Sequence, residues 1–370
     1  MLSIGRARAF WVAGLALIAT TRDVHAQTLS NPDISVVGDV RFIGRSGETA
    51  DSTGQQRVSF DFEELEFDFN AYLNPYMRAD IFVGIHGTGP EIDVEEAVLT
   101  VLRGLPAALQ FSVGQYLLDF GKLNTQHPHQ WSWMERPLMH QTMLGEEGLK
   151  ALGARLTTLI PVGESALGLS ASAFSGGAFA AHGHEEGGEE EEGGGVAPEI
   201  MGSGRVSLFT PLSDAWSAEM GASYLGGNYD PVEPLSTSQS AFDMKLRWRP
   251  DSYRAFSWVV EVMTSARDVE PDSLATSIPA VDAWGMFTSA EIQWRKRWSA
   301  GGFFDQTQDA TVQDAETTAF GGFLDFWPVE DTARIGLVYR HETSDLYPHD
   351  NDTLSLQFVW SMGPHKVHTF

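Results

Sequence analysis

Apolar and polar residues alternate one by one along much of this chain, in segments separated by Pro, Gly, Asp and Asn. Residues 64–71 read Glu-Leu-Glu-Phe-Asp-Phe-Asn-Ala, and residues 242–249 read Phe-Asp-Met-Lys-Leu-Arg-Trp-Arg. Successive side chains of a β-strand point to opposite faces, so each segment is predicted to be a strand with one apolar and one polar face. A shift of parity at Glu63 and Glu64 predicts a β-bulge.

The same pattern predicts sixteen strands, of which the fourth, eighth and thirteenth alternate least clearly. They cover residues 33–43, 58–73, 76–86, 92–103, 107–118, 148–160, 165–175, 201–210, 215–225, 240–249, 253–265, 281–295, 298–306, 315–327, 332–341 and 353–362. Short turns and mostly longer loops alternate between them, and the longest loops are 119–147 and 176–200. This asymmetry is typical of a transmembrane antiparallel up-and-down β-barrel, with periplasmic turns and extracellular loops.

Both ends of the chain favour export to an outer membrane. Arg6 and Arg8 precede an apolar stretch of about 11 residues, and Val24-His25-Ala26 offers a cleavage site. Residues 1–26 are therefore predicted to be a signal peptide, and residues 27–370 the barrel domain. The terminal Phe370 ends the last alternating segment and is expected to be recognised by the barrel-assembly machinery.

Composition limits the partners that the barrel is expected to have. The chain has no cysteine, which argues against a disulfide scaffold, and its formal net charge is −26. Removing residues 1–26 takes away three arginines and one aspartate, which leaves a net charge near −28. Such a charge repels nucleic acid and favours cations. Sixteen strands enclose more space than side chains fill, so an aqueous channel is expected.

The stretch from Val113 to Gly148 carries a resemblance to a known family. It contains Gly-Gln, Asp-Phe-Gly-Lys-Leu-Asn, His-Pro-His, Arg-Pro and Gly-Glu-Glu-Gly, and it resembles outer-membrane porins related to the phosphate-selective porins O and P. The stretch and the ending at 363–370 are most similar to a branch associated with zinc-responsive metal uptake. The resemblance implies a passive channel, a homotrimer, and a loop 119–147 that folds inward. The implied constriction residues are His127, His129, Glu135, Arg136, Glu146 and Glu147.

The resemblance does not extend to phosphate selectivity. That selectivity needs a ladder of Arg and Lys, whereas this chain has a large acidic surplus. Lys245, Arg247 and Arg249 are expected to line one wall of the lumen, as are Arg334 and Arg340. Because these basic residues would face acidic residues on the inward loop, they would create a transverse electric field across the lumen.

Histidines concentrate in the predicted outer loops and offer metal ligands. Imidazole suits zinc, nickel and copper, and carboxylates add charge and oxygen ligands. The candidate ligands in loop 176–200 are His182, His184, Glu185, Glu186, Glu189 and Glu190. Weak, exchangeable zinc binding is expected there; the alternative is a soluble, charge-repelling loop. His127 and His129 could form a deeper cation station with Glu135, Glu146 or Glu147, or could instead cap the loop or bond backbone carbonyls.

The sequence therefore predicts a passive outer-membrane porin, not an enzyme, that admits small hydrophilic solutes and favours cations, including zinc, without a required cofactor. One alternative is a barrel that does not conduct and acts as a metal-binding protein or adhesin. The other is a barrel hydrolase, for which His341 with Asp345 would be an example of a catalytic pair.

Overall fold

A computed structural model describes residues 32–46, 58–87, 91–177, 200–230, 235–269, 279–329 and 332–363. The predicted signal peptide, the candidate ligands His182, His184, Glu185, Glu186, Glu189 and Glu190, and Phe370 lie outside the described residues.

Sixteen antiparallel strands form a closed barrel in which each strand pairs with its neighbours in the chain and β1 pairs with β16. The predicted fold class is confirmed, and every predicted strand is present, including the three with the least regular alternation. The strands are β1 (Asp33–Arg45), β2 (Val58–Asn74), β3 (Met77–His86), β4 (Glu91–Val101), β5 (Gln110–Leu117), β6 (Lys150–Val162), β7 (Ser165–Ser175), β8 (Ile200–Pro211), β9 (Trp216–Asn228), β10 (Ser236–Trp248), β11 (Ala255–Asp268), β12 (Ala280–Trp294), β13 (Trp298–Gln308), β14 (Glu316–Val329), β15 (Ala333–Ser344) and β16 (Asn351–Met362).

A β-bulge lies in β2 where the sequence predicts one. Asp39 of β1 pairs with Glu64, but the next residue, Val40, pairs with Phe62, which leaves Glu63 as the extra residue. A second bulge was not predicted and lies in β4. There Phe82 pairs with Glu96 and Val83 pairs with Val94, so that Glu95 is the extra residue.

The outer surface of the barrel is an apolar belt. Phe60 is 75% exposed, and Phe242, Ile292 and Leu354 are each about half exposed. Among the described residues, no helix has both the length and the apolar character needed to cross a membrane.

Aromatic rings mark the end of the belt that carries the short turns. Trp216 and Trp248 pack with ring centroids 6.2 Å apart, and Trp298 and Phe326 with centroids 4.6 Å apart. All four lie at the strand ends next to short turns. An apolar belt edged by an aromatic girdle is the surface that a bilayer and its interface require.

The inner surface carries the polar residues of the alternation, and the segment between β5 and β6 folds into it. Along β2, for example, Glu64, Glu66 and Asp68 are buried inside the barrel. The segment 118–149, called here the inward loop, contains the one α-helix that lies wholly within the described residues, α1 (Leu138–Leu144), which packs against β12 and β13. The polar lining and the inward loop together define the lumenal constriction.

Candidate functional site at the lumenal constriction

The base of the inward loop is closed by one asparagine. The Asn124 amide donates hydrogen bonds to the carbonyl oxygens of Leu118 at 2.8 Å and Leu149 at 3.2 Å, and its Oδ1 accepts one from Leu149 N at 2.9 Å. Leu118 and Leu149 are the two ends of the loop, so a single side chain fixes both ends beside β5 and β6.

Glu261 of β11, five strands around the ring from β6, anchors the loop at a second place on the wall. Its Oε2 accepts hydrogen bonds from the backbone N–H groups of Lys122 at 2.9 Å and Leu123 at 3.1 Å, and its Oε1 lies 2.7 Å from Nε2 of His140. Sequence reasoning missed Glu261. The available signal was a single acidic residue within the apolar run 258–263, in the register that faces the lumen.

Further wall residues hold the loop around most of the ring. Each uses a side chain that points into the barrel and binds a backbone group of the loop. Asp305 accepts from Leu138 N at 2.8 Å, Arg41 donates to Met134 O at 3.2 Å, Arg334 donates to His129 O at 3.0 Å, and Gln239 donates to Met143 O at 2.9 Å. The loop therefore crosses the lumen and is bound on β1, β10, β11, β13 and β15.

His127 brings the loop against an acidic wall formed by β2 and β4. Its Nδ1 lies 2.9 Å from Glu66 Oε2 and 2.8 Å from Glu95 Oε2, and its Nε2 lies 3.5 Å from Glu96 Oε1. One ligand atom from each of Glu64, Glu66, Glu95 and His127 can be chosen so that all lie within 4.8 Å of one another. These four buried residues are called here the carboxylate–histidine cluster.

The bulge in β4 makes this density of carboxylates possible. Adjacent residues of a regular strand point to opposite faces, but the extra residue of a bulge re-aims a side chain. As a result, the consecutive residues Glu95 and Glu96 both contact the imidazole of His127.

Electrostatics at His127 follow from two opposed influences. Burial is the largest, and it disfavours the imidazolium, but contacts with Glu66, Glu95 and Glu96 outweigh it and raise the pKa of His127 well above its usual value. The carboxylates of the wall thus favour positive charge at the constriction.

Basic residues line the wall across the barrel. β10 is eight strands from β2 in either direction around the ring, so Lys245 and Arg247 face the acidic wall from the far side. Lys245 lines a cavity of about 110 Å³ together with Lys122 of the inward loop and Glu291 of β12. Arg249 differs from the prediction, because it lies beyond the end of β10 in an exposed turn.

The other predicted constriction residues lie on the inward loop but do not join the cluster. Glu135 pairs with Arg340 at 3.2 Å, Glu147 pairs with Lys150, and Glu146 is exposed. Arg136 stacks over Trp131 at 5.2 Å, and burial lowers its pKa to about 10. The predicted pairing of the loop histidines with Glu135, Glu146 or Glu147 is therefore replaced by contacts with β2 and β4.

His129 and His86 flank the cluster. His129 Nδ1 lies 3.6 Å from Glu64 Oε2, and its ring stacks on that of His127 with centroids 5.8 Å apart. His86 Nε2, at the outer end of β3, lies 3.4 Å from Glu95 Oε1. The cluster is thus enclosed by imidazoles that belong to both the loop and the wall.

At the rim, His341 pairs with Asp352 at 2.8 Å and not with Asp345, whose carboxylate accepts a hydrogen bond from Glu316 N. The Ser46 hydroxyl contacts Asp352 and not the imidazole. A nucleophilic triad needs the histidine between the hydroxyl and the carboxylate, so this arrangement does not have the required order.

Between the inward loop and the short-turn end, the lumen contains a cavity of about 480 Å³ lined by both polar and apolar residues. Its lining includes Gln110, Thr157, Ser170 and Ser207 from the wall, and Asp119 from the loop. Space for water therefore lies directly below the constriction.

Comparisons with known proteins define the fold but not the family. No family model matches the chain. An uncharacterized protein of Aquifex aeolicus (strain VF5) is 33% identical over 149 residues, which are 35% of this chain and 31% of that protein. The chain thus spans about a third of the length of the relative that it matches.

Solved structures with the same fold include bacterial outer-membrane channels. An anion-selective porin from Comamonas acidovorans gives a TM-score of 0.59 at 9% identity and covers 90% of this chain and 99% of its own. The outer membrane channel DcaP of Acinetobacter baumannii gives 0.54 at 11%, covering 90% and 96%. The trimer form of OmpT, an outer membrane protein of Vibrio cholerae, gives 0.54 at 10%, covering 90% and 100%. Together with the apolar belt, this fold places the chain in a bacterial outer membrane.

Proposed function

We propose that the protein is a passive outer-membrane channel that prefers cations and assists the uptake of divalent metal, zinc in particular. The observation that carries the proposal is the position of the inward loop, which presses His127 against Glu64, Glu66 and Glu95 inside the barrel. Small hydrophilic solutes and ions would diffuse down their gradients through the space that the loop leaves.

Cation preference follows from the charges along the path. A net charge of −26 raises the concentration of cations near the mouth of the channel. Carboxylates at the constriction then replace part of the hydration of an ion, and binding must remain weak enough for the ion to leave. The basic wall at Lys245 and Arg247 faces them and gives the lumen a transverse field.

The proposal includes two further parts that rest on the sequence. The external His182 and His184, with the glutamates that follow them, would concentrate zinc at the entrance, and the bound metal would remain exchangeable. Assembly as a homotrimer is supported by the trimer form of the structurally similar OmpT. Membership of the phosphate-selective O/P family and its zinc-responsive branch remains part of this proposal.

Planar-bilayer recording tests the function directly. The refolded protein, in a salt gradient, should give discrete conductance steps and a reversal potential of the sign set by cation permeation. The recording is then repeated on a variant lacking 182–195. Added zinc should change the current through this variant less than the current through the intact protein, and both should prefer cations. If the intact protein prefers anions and its current does not respond to zinc, the proposal is contradicted.

A barrel that does not conduct is the second candidate function. It is favoured by the hydrogen bonds that hold the inward loop to strands on several sides, such as those of Asp305 with Leu138 and of Arg334 with His129. A protein that inserts in the bilayer but gives no conductance step would identify this metal-binding or adhesin-like role.

A further inference from the structure

We propose that the carboxylate–histidine cluster is a binding station for one divalent transition-metal ion of the zinc class, held between the inward loop and the barrel wall. Glu64, Glu66 and Glu95 would supply carboxylate oxygens, and His127 would supply one imidazole nitrogen. The station deepens the proposed channel function, on which its role in transport rests. The metal here is the transported substrate.

The distances between the ligand atoms suit such an ion. Zinc bonds to nitrogen and oxygen ligands are about 2.0–2.2 Å long, which puts tetrahedral ligand atoms roughly 3.4 Å apart. His127 Nδ1 is 2.9 Å from Glu66 and 2.8 Å from Glu95, and no pair of the chosen ligand atoms exceeds 4.8 Å. Each ligand atom would therefore move by less than about 1 Å to receive the ion.

Charge at the cluster also favours a cation. Within the described residues, the carboxylates of Glu64, Glu66 and Glu95 form ion pairs only with imidazoles, and none of these pairs involves Lys or Arg. The buried Arg136 guanidinium acts on Glu95 and Glu64 only from beyond ion-pair distance. A positive ion bound among these three buried carboxylates would therefore stabilise them directly.

Two independent features leave room and an open ligand atom at the cluster. The Glu64 Oε1 atom is buried and has no hydrogen-bond partner, although the residue is only 4% exposed. Gly84 of β3 lies beside the cluster, and a Cβ at this position would come within 2.5 Å of His86 Nε2 and 2.7 Å of Glu95 Oε1. The absence of a side chain at Gly84 thus lets Glu95 and His86 approach each other.

Residues around the four ligands hold them in place. The ring of His127 stacks on Phe82 with centroids 5.3 Å apart, and Arg334 fixes the backbone carbonyl of the nearby His129. Outer residues of this kind orient metal ligands and tune their affinity. His129 and His86 provide neighbouring imidazoles from which an ion could be passed into or out of the cluster.

The ligand set selects among ions. Ca²⁺ requires six to eight oxygen ligands and Mg²⁺ keeps a nearly octahedral shell of mostly water, so a small buried set with one nitrogen suits neither. Imidazole with carboxylates suits zinc and its first-row neighbours such as Co²⁺. Zn²⁺ and Co²⁺ are therefore expected to bind more tightly than Ca²⁺ or Mg²⁺.

Co²⁺ is the probe for the first test, since its visible absorption reports its ligands. The full chain is purified without a polyhistidine tag, with His182→Gln and His184→Gln to silence the external loop. His127→Gln and, separately, Glu66→Gln are compared with the control His341→Gln, which alters a rim histidine outside the cluster. Heat-modifiable migration on gels checks that each barrel has folded.

We expect one bound Co²⁺ per chain, an affinity about tenfold or more weaker in His127→Gln and in Glu66→Gln, and no change in His341→Gln. Unchanged Co²⁺ affinity and spectrum in His127→Gln would overturn the station. X-ray absorption of the Zn²⁺-loaded parent needs no cluster variant, and it should show one imidazole nitrogen among oxygen ligands. A set without nitrogen would also overturn the proposal.

Bilayer recordings on the same samples separate the station from the channel function. If the protein conducts cations but binds no Co²⁺ at the cluster, the station is wrong and the channel stands. If Co²⁺ binding requires His127 but the protein does not conduct, the station stands and the transport proposal is wrong.

Discussion

Nε2 of His140, on α1 of the inward loop, lies 2.7 Å from Oε1 of Glu261 on β11, and neither side chain is accessible to solvent. The second oxygen of the same carboxylate accepts the N–H groups of Lys122 and Leu123 near the start of the loop. One wall residue therefore fixes two distant parts of the loop at once.

Glu261→Gln should loosen the inward loop. The neutral amide can keep the shape of the side chain, but it loses charge-assisted hydrogen bonds, each worth about 1.5–3 kcal/mol. We expect a lower unfolding free energy in detergent and a larger, noisier single-channel current in planar bilayers. Glu164→Gln, in an exposed turn on the short-turn side, is the control. An unchanged current in Glu261→Gln would show that the loop does not depend on this anchor.

Lys245→Glu should strengthen the cation preference. Lys245 and Lys122 both line the small cavity beside the inward loop, so reversing the charge of Lys245 removes one of the two positive groups there. The cation-to-anion permeability ratio, measured from reversal potentials at low salt, should rise severalfold and fall back towards the parent value at high salt. The matched control is Arg254→Gln, at an exposed turn, which should leave the ratio unchanged. No shift in Lys245→Glu would mean that ions do not pass near this wall.

Phe67→Arg should destabilise the barrel in the bilayer. Phe67 belongs to the lipid-facing parity of β2, near the middle of the strand, where Arg costs about 2–4 kcal/mol. Asn70→Arg, on the same strand with lumen-facing parity, should cost much less because its side chain meets water and Asp68. Reversible unfolding in urea with lipid vesicles measures both. Equal losses for the two variants would contradict the assigned faces of β2.

Gly84→Ala should weaken metal binding at the carboxylate–histidine cluster without altering any ligand. The added methyl group would collide with His86 and Glu95, which must then move apart. Co²⁺ titration should show an affinity about tenfold lower. Gly44→Ala is the control, because the nearest atom to its added Cβ is 3.8 Å away, and it should bind as the parent does. Similar affinities for both variants would argue that the space at Gly84 is not used.

The strands could be predicted because their signal is local. Alternation with a period of two tests each residue only against its immediate neighbours, and lipid outside with water inside imposes that alternation on every strand. The bulge at Glu63 left the same kind of trace, a break in parity, and it is confirmed. The bulge at Glu95 was missed, although two consecutive glutamates within a strand were a visible sign.

The partners of the inward loop could not be predicted. The sequence allowed His127 and His129 either to join acidic residues of their own loop or to cap the loop and bond backbone carbonyls. Instead, they contact Glu64, Glu66 and Glu95 on the wall. His127 and Glu66 are 61 positions apart in the chain, and no periodicity links them. Glu261 holds the loop from the wall opposite β2 and β4. It is even farther from the loop in sequence than Glu66 is.

By itself, the sequence determined a sixteen-stranded barrel with an apolar exterior, a polar interior and a long loop after the fifth strand, because each of these follows from residue type and spacing along the chain. Only the tertiary structure decided which charges meet at the constriction. Closing the ring puts β2 opposite β10, and the path of the loop across the lumen selects the wall that each of its side chains reaches. Both are properties of the closed cylinder as a whole, so no single segment of the sequence carries them.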